Sequence, residues 1–282
     1  MKEILRIDKL SFSYGKEILF KELSLSVQEG SIVGLLGENG AGKTTFLKLI
    51  TGQLFPDKGV IDFCGYNPEK REPDFLKSVF YVPEDLQVPD VFFKEYVDYT
   101  VPFYPNFDSS ILDELVKEFE VPKDSKFSSM SMGQKKKAVL AFAIASGTPV
   151  LILDEPTNGL DIPSKRTFRR VVSRFAADGR TFIISTHQVR DMERLIDPVV
   201  IIHKGVVLLN AFMDDIVESI NIRLLADEPS GSFIYSEKVP GGYAVVSEGR
   251  CVSDIDLELL FNAVRGNPDF FRANLMQGGG VL

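Results

Sequence analysis

The sequence predicts an α/β fold in which buried strands alternate with helices. SIVGLLG and PVLILD are short, continuous apolar runs, which are typical of strands covered on both faces of a sheet. AGKTTFLKLITGQL follows the first run with helical spacing. The charged helix SKRTFRRVVSRFAAD separates PVLILD from a third apolar run, TFIIST. This alternation of strand and helix indicates the α/β class.

The remaining segments add three parts to this core. ILRIDKLSFSY, GKEIL and KELSLSV alternate apolar and polar residues, which predicts a β-rich N-terminal part. Residues 85–146 are rich in proline and then amphipathic in DSSILDELVKEFEV, where Asp108 or Ser109 can cap a helix, so a helical insertion is predicted. PVVIIHKGVVLL predicts a hairpin that turns at Lys204 and Gly205.

The C-terminal part predicts a small module after a main domain of residues 1–215. In residues 216–282, GGYAVVSEG indicates a strand and DLELLFNAVRG a short helix. Two roles are considered for this helix: it packs on the core, or it regulates the main domain.

Composition excludes several classes of function. The 282 residues carry a net charge of −8 and a sequence pI of about 5.0, which argues against nucleic-acid binding. The two cysteines form no CxxC pair and there are two histidines, so we expect reduced thiols in a cytosolic protein and no zinc site.

The most apolar window, Ala138 to Leu153, is interrupted at Ser146–Pro149. It predicts a buried helix, a turn and a buried strand, so another chain would have to supply any membrane span.

GENGAGKT, Gly37 to Thr44, matches G-x-x-x-x-G-K-[ST] at every fixed position. A strand precedes it and a helix follows, which is the context that identifies a P-loop. In such a loop the glycines let backbone N–H groups face phosphates. We expect Lys43 to reach the β- and γ-phosphates of a nucleotide and Thr44 to bind Mg²⁺.

Two further strands end in polar residues. LILDEP ends in adjacent carboxylates, of which Asp154 is expected beside Mg²⁺. Side chains alternate along a strand, so Glu155 is expected to point away from Asp154, toward an attacking water. THQ ends the next strand, and His187 is predicted to be the only histidine at a strand end on this edge, where α/β sheets bind ligands.

SMSMGQ starts a helix with more features than a start requires. Ser131 can cap the helix, but a cap does not explain Gly133 or the lysines Lys135 to Lys137. The chain already has one phosphate loop. A second glycine-containing helix start is therefore expected to face an ATP held by another subunit.

The order of these motifs over residues 1–215 resembles the nucleotide-binding subunit of ATP-binding cassette (ABC) transporters. The order is P-loop, helical insertion, SMSMGQ, LILDEP, NGLD and THQ. The resemblance implies an ATPase that uses ATP and Mg²⁺ and forms a head-to-tail homodimer, or a heterodimer with another ABC ATPase subunit. It implies that dimer closure drives a separate transmembrane permease subunit. It also implies a cytoplasmic location, peripheral on the inner face of the cell membrane, and no nucleic-acid partner.

The resemblance also implies roles for individual residues. Tyr14 is similar to the aromatic residue that stacks on adenine, and Lys43, Glu155 and His187 would be catalytic, His187 as the switch histidine. The implied ATP-binding set is Tyr14, Gly37, Glu38, Asn39, Gly40, Ala41, Gly42, Lys43, Thr44 and Thr45. The implied Mg²⁺ ligands are Thr44, Asp154 and Glu84, and the D-loop is Asn158, Gly159, Leu160 and Asp161. The signature Met130 to Gln134 would act on the partner's ATP through Ser131, Gly133 and Gln134.

Two positions depart from the family pattern. Glu84 stands where the family usually has glutamine, and Gln87 is disfavoured as a substitute because it lies three residues later. Met132 replaces the first glycine of the signature. The insertion and the tail resemble a branch often grouped with ABC-2-type exporters.

Two other functions are considered. A soluble ABC-type ATPase that acts on ribosomes or DNA usually carries two cassettes or a coiled coil, and this acidic chain shows one cassette and no heptads. A non-enzymatic nucleotide-binding scaffold is disfavoured because Glu155 and His187 are present.

Overall fold

The structure, a computed structural model, describes residues 2–192, 194–251 and 254–275. Its strands are β1 (Glu3–Tyr14), β2 (Glu17–Gln28), β3 (Ile32–Leu36), β4 (Lys58–Phe63), β5 (Val79–Val82), β6 (Val150–Asp154), β7 (Thr181–Thr186), β8 (Val199–His203), β9 (Val206–Ala211), β10 (Ile220–Leu225), β11 (Tyr235–Val239) and β12 (Gly242–Glu248). Its α-helices are α1 (Lys43–Ile50), α2 (Pro73–Ser78), α3 (Phe93–Thr100), α4 (Ser109–Glu118), α5 (Met132–Ala145), α6 (Ile162–Ala177), α7 (Met213–Ser219), α8 (Leu257–Gly266) and α9 (Pro268–Leu275).

A six-stranded sheet in the order β5–β6–β7–β3–β8–β9 lies at the centre. Strands β5, β6, β7, β3 and β8 run parallel to one another. Strand β9 returns antiparallel to β8 and forms the predicted hairpin with it. Every residue of β6 and β7 is buried, as their continuous apolar runs predicted. The predicted α/β class is confirmed. The parallel order brings the carboxyl ends of β3, β6, β7 and β8 to one edge.

The β-rich N-terminal part forms an antiparallel sheet in the order β2–β1–β4. The apolar residues of β1 that alternate with polar ones, including Leu5, Ile7 and Leu10, are buried. They pack in one cluster with Val33 and Leu35 of β3, so this sheet covers one face of the central sheet.

Three α-helices, α3, α4 and α5, lie between β5 and β6. Asp108 caps α4, because its side chain accepts hydrogen bonds from the backbone N–H groups of Ser110 and Ile111. The ring of Phe142 on α5 lies 5.9 Å from that of Phe80 on β5 and 5.4 Å from that of Tyr96 on α3, so aromatic contacts join the helices to the sheet.

The apolar window from Ala138 to Leu153 forms the end of α5, a turn and β6, as predicted. Within the described residues, no helix combines the length and apolar composition that a membrane crossing requires.

The C-terminal module, here residues 216–275, contains a small antiparallel sheet in the order β10–β12–β11, followed by α8 and α9. Leu260 and Val264 of α8 are fully buried, in the same apolar cluster as Leu209 of β9. The proposed boundary at residue 215 therefore crosses a continuous apolar core, and the module is docked on the main domain.

Candidate functional site

The phosphate loop joins β3 to α1 and depends on its glycines. A Cβ atom at Gly37 would lie 2.7 Å from the carbonyl oxygen of Ile202, so only glycine fits against β8. Gly40 and Gly42 have φ angles of 79° and 102°, a region that glycine adopts without strain. Gly42 is the N-cap of α1, and residues of the loop and of the helix start line the cleft described below.

Lys43 is 7% exposed and its ammonium group is surrounded by oxygen atoms. Its Nζ donates hydrogen bonds to the carbonyl oxygens of Gly37 at 2.7 Å and Glu38 at 3.2 Å, and lies 3.7 Å from Oε1 of Glu155. Burial lowers the pKa of Lys43, and the carboxylates of Glu155 and Asp154 offset part of this effect.

Asp154 ends β6 and accepts hydrogen bonds on both carboxylate oxygens. Oδ2 accepts from the Thr44 hydroxyl at 2.8 Å and from the Tyr81 hydroxyl at 3.3 Å, and Oδ1 accepts from the Ser185 hydroxyl. Thr44 and Asp154, both predicted to lie at a magnesium ion, are therefore in direct contact. Tyr81 and Ser185 were not predicted as site residues. Ser185 lies near the carboxyl end of the predicted strand TFIIST, whereas no strand was predicted at Tyr81.

Glu155 follows β6 in a left-handed conformation with φ 46°. Its backbone N–H points to the carbonyl and hydroxyl oxygens of Ser185, each at 3.1 Å. Oε1 lies 2.7 Å from Nδ1 of His187, whereas Oε2 is buried and has no hydrogen-bond partner among the described residues. Asp154 and Glu155 do contact different groups. The predicted reason, strand alternation, is wrong, because the strand ends at Asp154 and the turn at Glu155 directs its side chain.

The prediction that His187 is the only histidine at a strand end on this edge is wrong. His203 ends β8, which runs parallel to β3, and its Nδ1 lies 3.6 Å from Oε2 of Glu38 in the phosphate loop. The hairpin prediction located β8, but the parallel pairing that brings its end to the phosphate loop was not visible in the sequence.

A cleft of about 490 Å³ opens beside the phosphate loop. Its lining includes these predicted residues: Tyr14, Glu38, Asn39, Gly40, Gly42, Lys43, Thr44, Thr45, Glu84, Asp154, Glu155 and His187. Tyr14 is 52% exposed at the cleft, and its hydroxyl lies 3.3 Å from that of Thr45. Ala41, which is buried, and Gly37 are not among the residues that line this cleft.

The signature lies outside this cleft, at the start of α5. Ser131 is the N-cap: its hydroxyl oxygen accepts from the backbone N–H of Gln134, and the Gln134 side chain accepts from the backbone N–H of Ser131. A Cβ atom at Gly133 would lie 2.9 Å from the carbonyl oxygen of Gly159, so the close approach of the D-loop explains this glycine.

The three lysines near the start of the signature helix, Lys135 to Lys137, differ in burial. Lys136 is 2% exposed, and its Nζ donates a hydrogen bond of 3.0 Å to the backbone carbonyl of Glu155. Burial lowers the pKa of Lys136, and the carboxylates of Glu84, Glu155 and Asp154 act in the opposite direction. Lys136 therefore faces the interior of its own chain, beside Glu155. Its inward position was hidden because a lysine triplet gives no periodic signal.

The D-loop connects the cleft to neighbouring segments. The Asn158 side chain donates to Glu84 at 2.9 Å and accepts from Gln188 at 3.0 Å. Asp161 caps α6, and this bonding to Ser164 lowers the pKa of its carboxyl group. Leu160 is buried, so the D-loop is anchored on both sides of Gly159.

The fold and the cleft together define a P-loop nucleotide-binding protein. Comparison with known proteins gives its family. Residues 20–158 match the family model described as ABC transporter. The ABC transporter ATP-binding protein YtrB of Bacillus subtilis (strain 168) is 31% identical over 229 residues, 80% of this chain and 78% of YtrB. The Nod factor export ATP-binding protein I of Burkholderia lata is 35% identical, over 68% of this chain and 65% of that protein.

The structural comparison agrees with this family. A solved structure of an ATP-binding subunit of an ABC transporter has a TM-score of 0.70 and 28% identity, over 76% of this chain and 91% of that chain. The chain belongs to the ABC transporter ATP-binding protein family. It is thus an ATP-binding subunit of an ABC transporter and an ATPase, and the alternative of a soluble ATPase acting on ribosomes or DNA is not favoured.

The contact from Lys136 to Glu155 generates a prediction. Lys136→Met keeps the length of the side chain but leaves the buried Glu155 carbonyl without its donor, which costs about 1–3 kcal/mol. We expect a lower thermal unfolding midpoint and slower ATP hydrolysis. The control is Lys135→Met, which removes the same charge from the neighbouring, less buried position. Equal midpoints and equal rates for the two variants would contradict this role.

Proposed function

We propose that this subunit binds Mg·ATP in the cleft beside the phosphate loop and hydrolyses it between two cassettes that close head to tail. One observation carries the proposal: the buried Lys43 and Glu155, whose Oε2 has no hydrogen-bond partner among the described residues, line the same cleft. A cation suits the phosphates of a nucleotide, and a carboxylate oxygen without a donor suits a water molecule.

ATP would use three parts of the cleft. The N–H groups of the loop and of the α1 start face the β- and γ-phosphates, and Lys43 exchanges its carbonyl partners at Gly37 and Glu38 for phosphate oxygens. Tyr14, half exposed at the cleft, offers an aromatic face to the adenine base.

The residues at the end of β6 fit a magnesium ion. Thr44 and Asp154 supply oxygen atoms within 2.8 Å of each other, and Glu84 lines the same cleft. The described part of the chain holds no group of three or more His, Cys, Asp or Glu side chains that could bind a metal. Mg²⁺ is usually bound by one or two carboxylates together with substrate phosphates, and Asp154 and Glu84 supply two carboxylates at the cleft. When bound, Mg²⁺ neutralises charge on the phosphate oxygens.

Glu155 is the proposed general base. Its Oε2 accepts a proton from water, the water oxygen bonds to the γ-phosphorus, and the bond from that phosphorus to the bridging oxygen breaks to release ADP. Oε1 stays in contact with His187, which keeps the carboxylate oriented. Such base catalysis contributes ~10²–10⁴-fold in rate.

The signature is proposed to complete the site of the partner. Ser131 is exposed at the start of α5, away from the lining of its own cleft. Its oxygen caps the helix, but its hydroxyl hydrogen remains available to donate to a phosphate of the neighbouring subunit.

A groove of about 510 Å³ between α2 and the insertion is the proposed contact for a transmembrane permease subunit. Leu76 and Phe103 line it and are 39% and 67% exposed. Tyr81 lines the same groove and donates to Asp154, which connects the permease contact to the magnesium site. The subunit would then sit on the cytoplasmic face of the membrane. The name of the Nod factor export relative supports export as the direction of transport.

Replacement of the proposed base is the first test. Glu155→Gln cannot accept the proton from water, so we expect hydrolysis to fall by about 10²–10⁴-fold while ATP binding is retained. Initial rates of phosphate release and direct ATP titration measure the two properties. Glu228→Gln, a change at an exposed position, is the control. Turnover of Glu155→Gln close to that of the control would rule out Glu155 as the base.

A mixing experiment tests the shared site. Ser131→Glu places negative charge against the partner's γ-phosphate, and Lys43→Ala removes the phosphate contact, so each variant alone is expected to be inactive. In an equal mixture, half of the dimers have one intact composite site, so about a quarter of the wild-type rate should return.

The outcome separates a shared site from an internal one. Monomeric Ser131→Glu is expected to bind ATP with wild-type affinity. Weak binding comparable to that of Lys43→Ala, with no recovery on mixing, would show that Ser131 contacts the nucleotide of its own chain.

A further inference from the structure

The C-terminal module contacts the phosphate loop directly. Nη1 of Arg265, near the end of α8, lies 2.8 Å from Oε1 of Glu38. Glu38 is the first variable residue of the loop and lines the cleft beside Lys43 and Thr44. Arg265 and Glu38 are more than about 200 positions apart in sequence. Arg265 thus contacts the loop that the proposed function assigns to ATP phosphates.

Arg265 is held in place by its own module. Its guanidinium carbon lies 5.6 Å from the centre of the Phe261 ring on the same helix. Asp256 caps the start of α8, and Asn262 donates a hydrogen bond of 3.0 Å to Glu237 of β11. The opposite face of α8 is buried in the apolar core. The orientation of Arg265 therefore follows from the docking of the whole module.

The charge of Glu38 needs a partner at this position. A carboxylate beside bound phosphates raises the free energy of the complex, because like charges repel at short range. His203 also lies near, 3.6 Å from Glu38, but burial and the neighbouring Arg265 lower its pKa, which disfavours the charged form. A guanidinium group is a permanent cation, and Arg265, 2.8 Å from Glu38, is therefore the partner that offsets its charge.

The same helix also reaches the segment after the switch histidine. Glu258 at the start of α8 lies 2.8 Å from Arg190, which belongs to a short 3-10 helix (Val189–Met192) that follows His187. Both side chains are more than half exposed, so this ion pair contributes little energy. A cleft of about 640 Å³, lined by Glu38, His187 and Arg265, lies between α8 and the nucleotide cleft. The module thus borders both the phosphate loop and the His187 segment.

We propose that the C-terminal module is part of the nucleotide site, with Arg265 as a positioning residue that neutralises Glu38 and thereby raises the affinity for ATP. This inference rests on the proposed function, since it requires ATP phosphates at the loop. Displacement of the module would expose the Glu38 carboxylate to the phosphates and weaken ATP binding. The docked module therefore favours the ATP-bound state.

The test is a double-mutant cycle on ATP affinity in the full-length chain. Arg265→Gln should weaken Mg·ATP binding about three- to tenfold at low ionic strength, and less in high salt, because a partly exposed pair is screened. Glu38→Gln removes the carboxylate that Arg265 neutralises. In a chain that carries Glu38→Gln, the further change Arg265→Gln should therefore alter the affinity for Mg·ATP by less than about twofold. Arg250→Gln is the matched control, because it removes the same charge and breaks the Arg250–Glu218 ion pair of the module.

Each outcome has one meaning. If wild-type protein fails to bind Mg·ATP, the proposed function fails. If wild-type protein binds but Arg265→Gln matches Arg250→Gln, only the role of Arg265 is overturned. If Arg265→Gln weakens binding equally with and without the Glu38 carboxylate, Arg265 acts by holding the fold, and charge neutralisation is likewise overturned.

Discussion

The site depends on one buried ammonium group. Lys43 is 7% exposed, and a buried cation is tolerated only where oxygen atoms compensate the loss of water. The compensation comes from carbonyl oxygens of the phosphate loop and from Glu155, so the loop after β3 and the end of β6 must lie side by side. The parallel order of the central sheet provides this arrangement. ATP phosphates would satisfy the same cation more strongly than the carbonyls do.

Glu155 connects this cation to the rest of the protein. Lys43 approaches its carboxylate from the phosphate loop, Lys136 binds its backbone carbonyl from the insertion, and Ser185 accepts from its backbone N–H on β7. The helix that begins at the signature Ser131 therefore also fixes the proposed base. If Ser131 contacts a second cassette as proposed, helix α5 would link that contact to the proposed base through Lys136.

Much of this arrangement could be predicted from the sequence. The phosphate loop follows from a contiguous motif between a strand and a helix, and the Thr44–Asp154 contact was expected because both residues belong to motifs at strand ends. The different contacts of the Asp154 and Glu155 side chains were also expected, but their cause, the turn at Glu155, was not. The contacts of Lys136, His203 and Arg265 could not be predicted. Each depends on the pairing of segments far apart in sequence, and a charged side chain gives no local sign of which distant group it meets.

Direct titration of Mg·ATP into Lys43→Met tests the central claim most directly, because methionine keeps the side-chain length and removes the charged hydrogen-bond donor. We predict affinity at least about 100-fold below wild type, since charge-assisted hydrogen bonds contribute ~1.5–3 kcal/mol each and ~1.4 kcal/mol is tenfold in affinity. Lys48→Met, on the same helix and more exposed, should bind ATP like wild type. Equal affinity of Lys43→Met and wild type would contradict the claim that this buried ammonium group holds the phosphates.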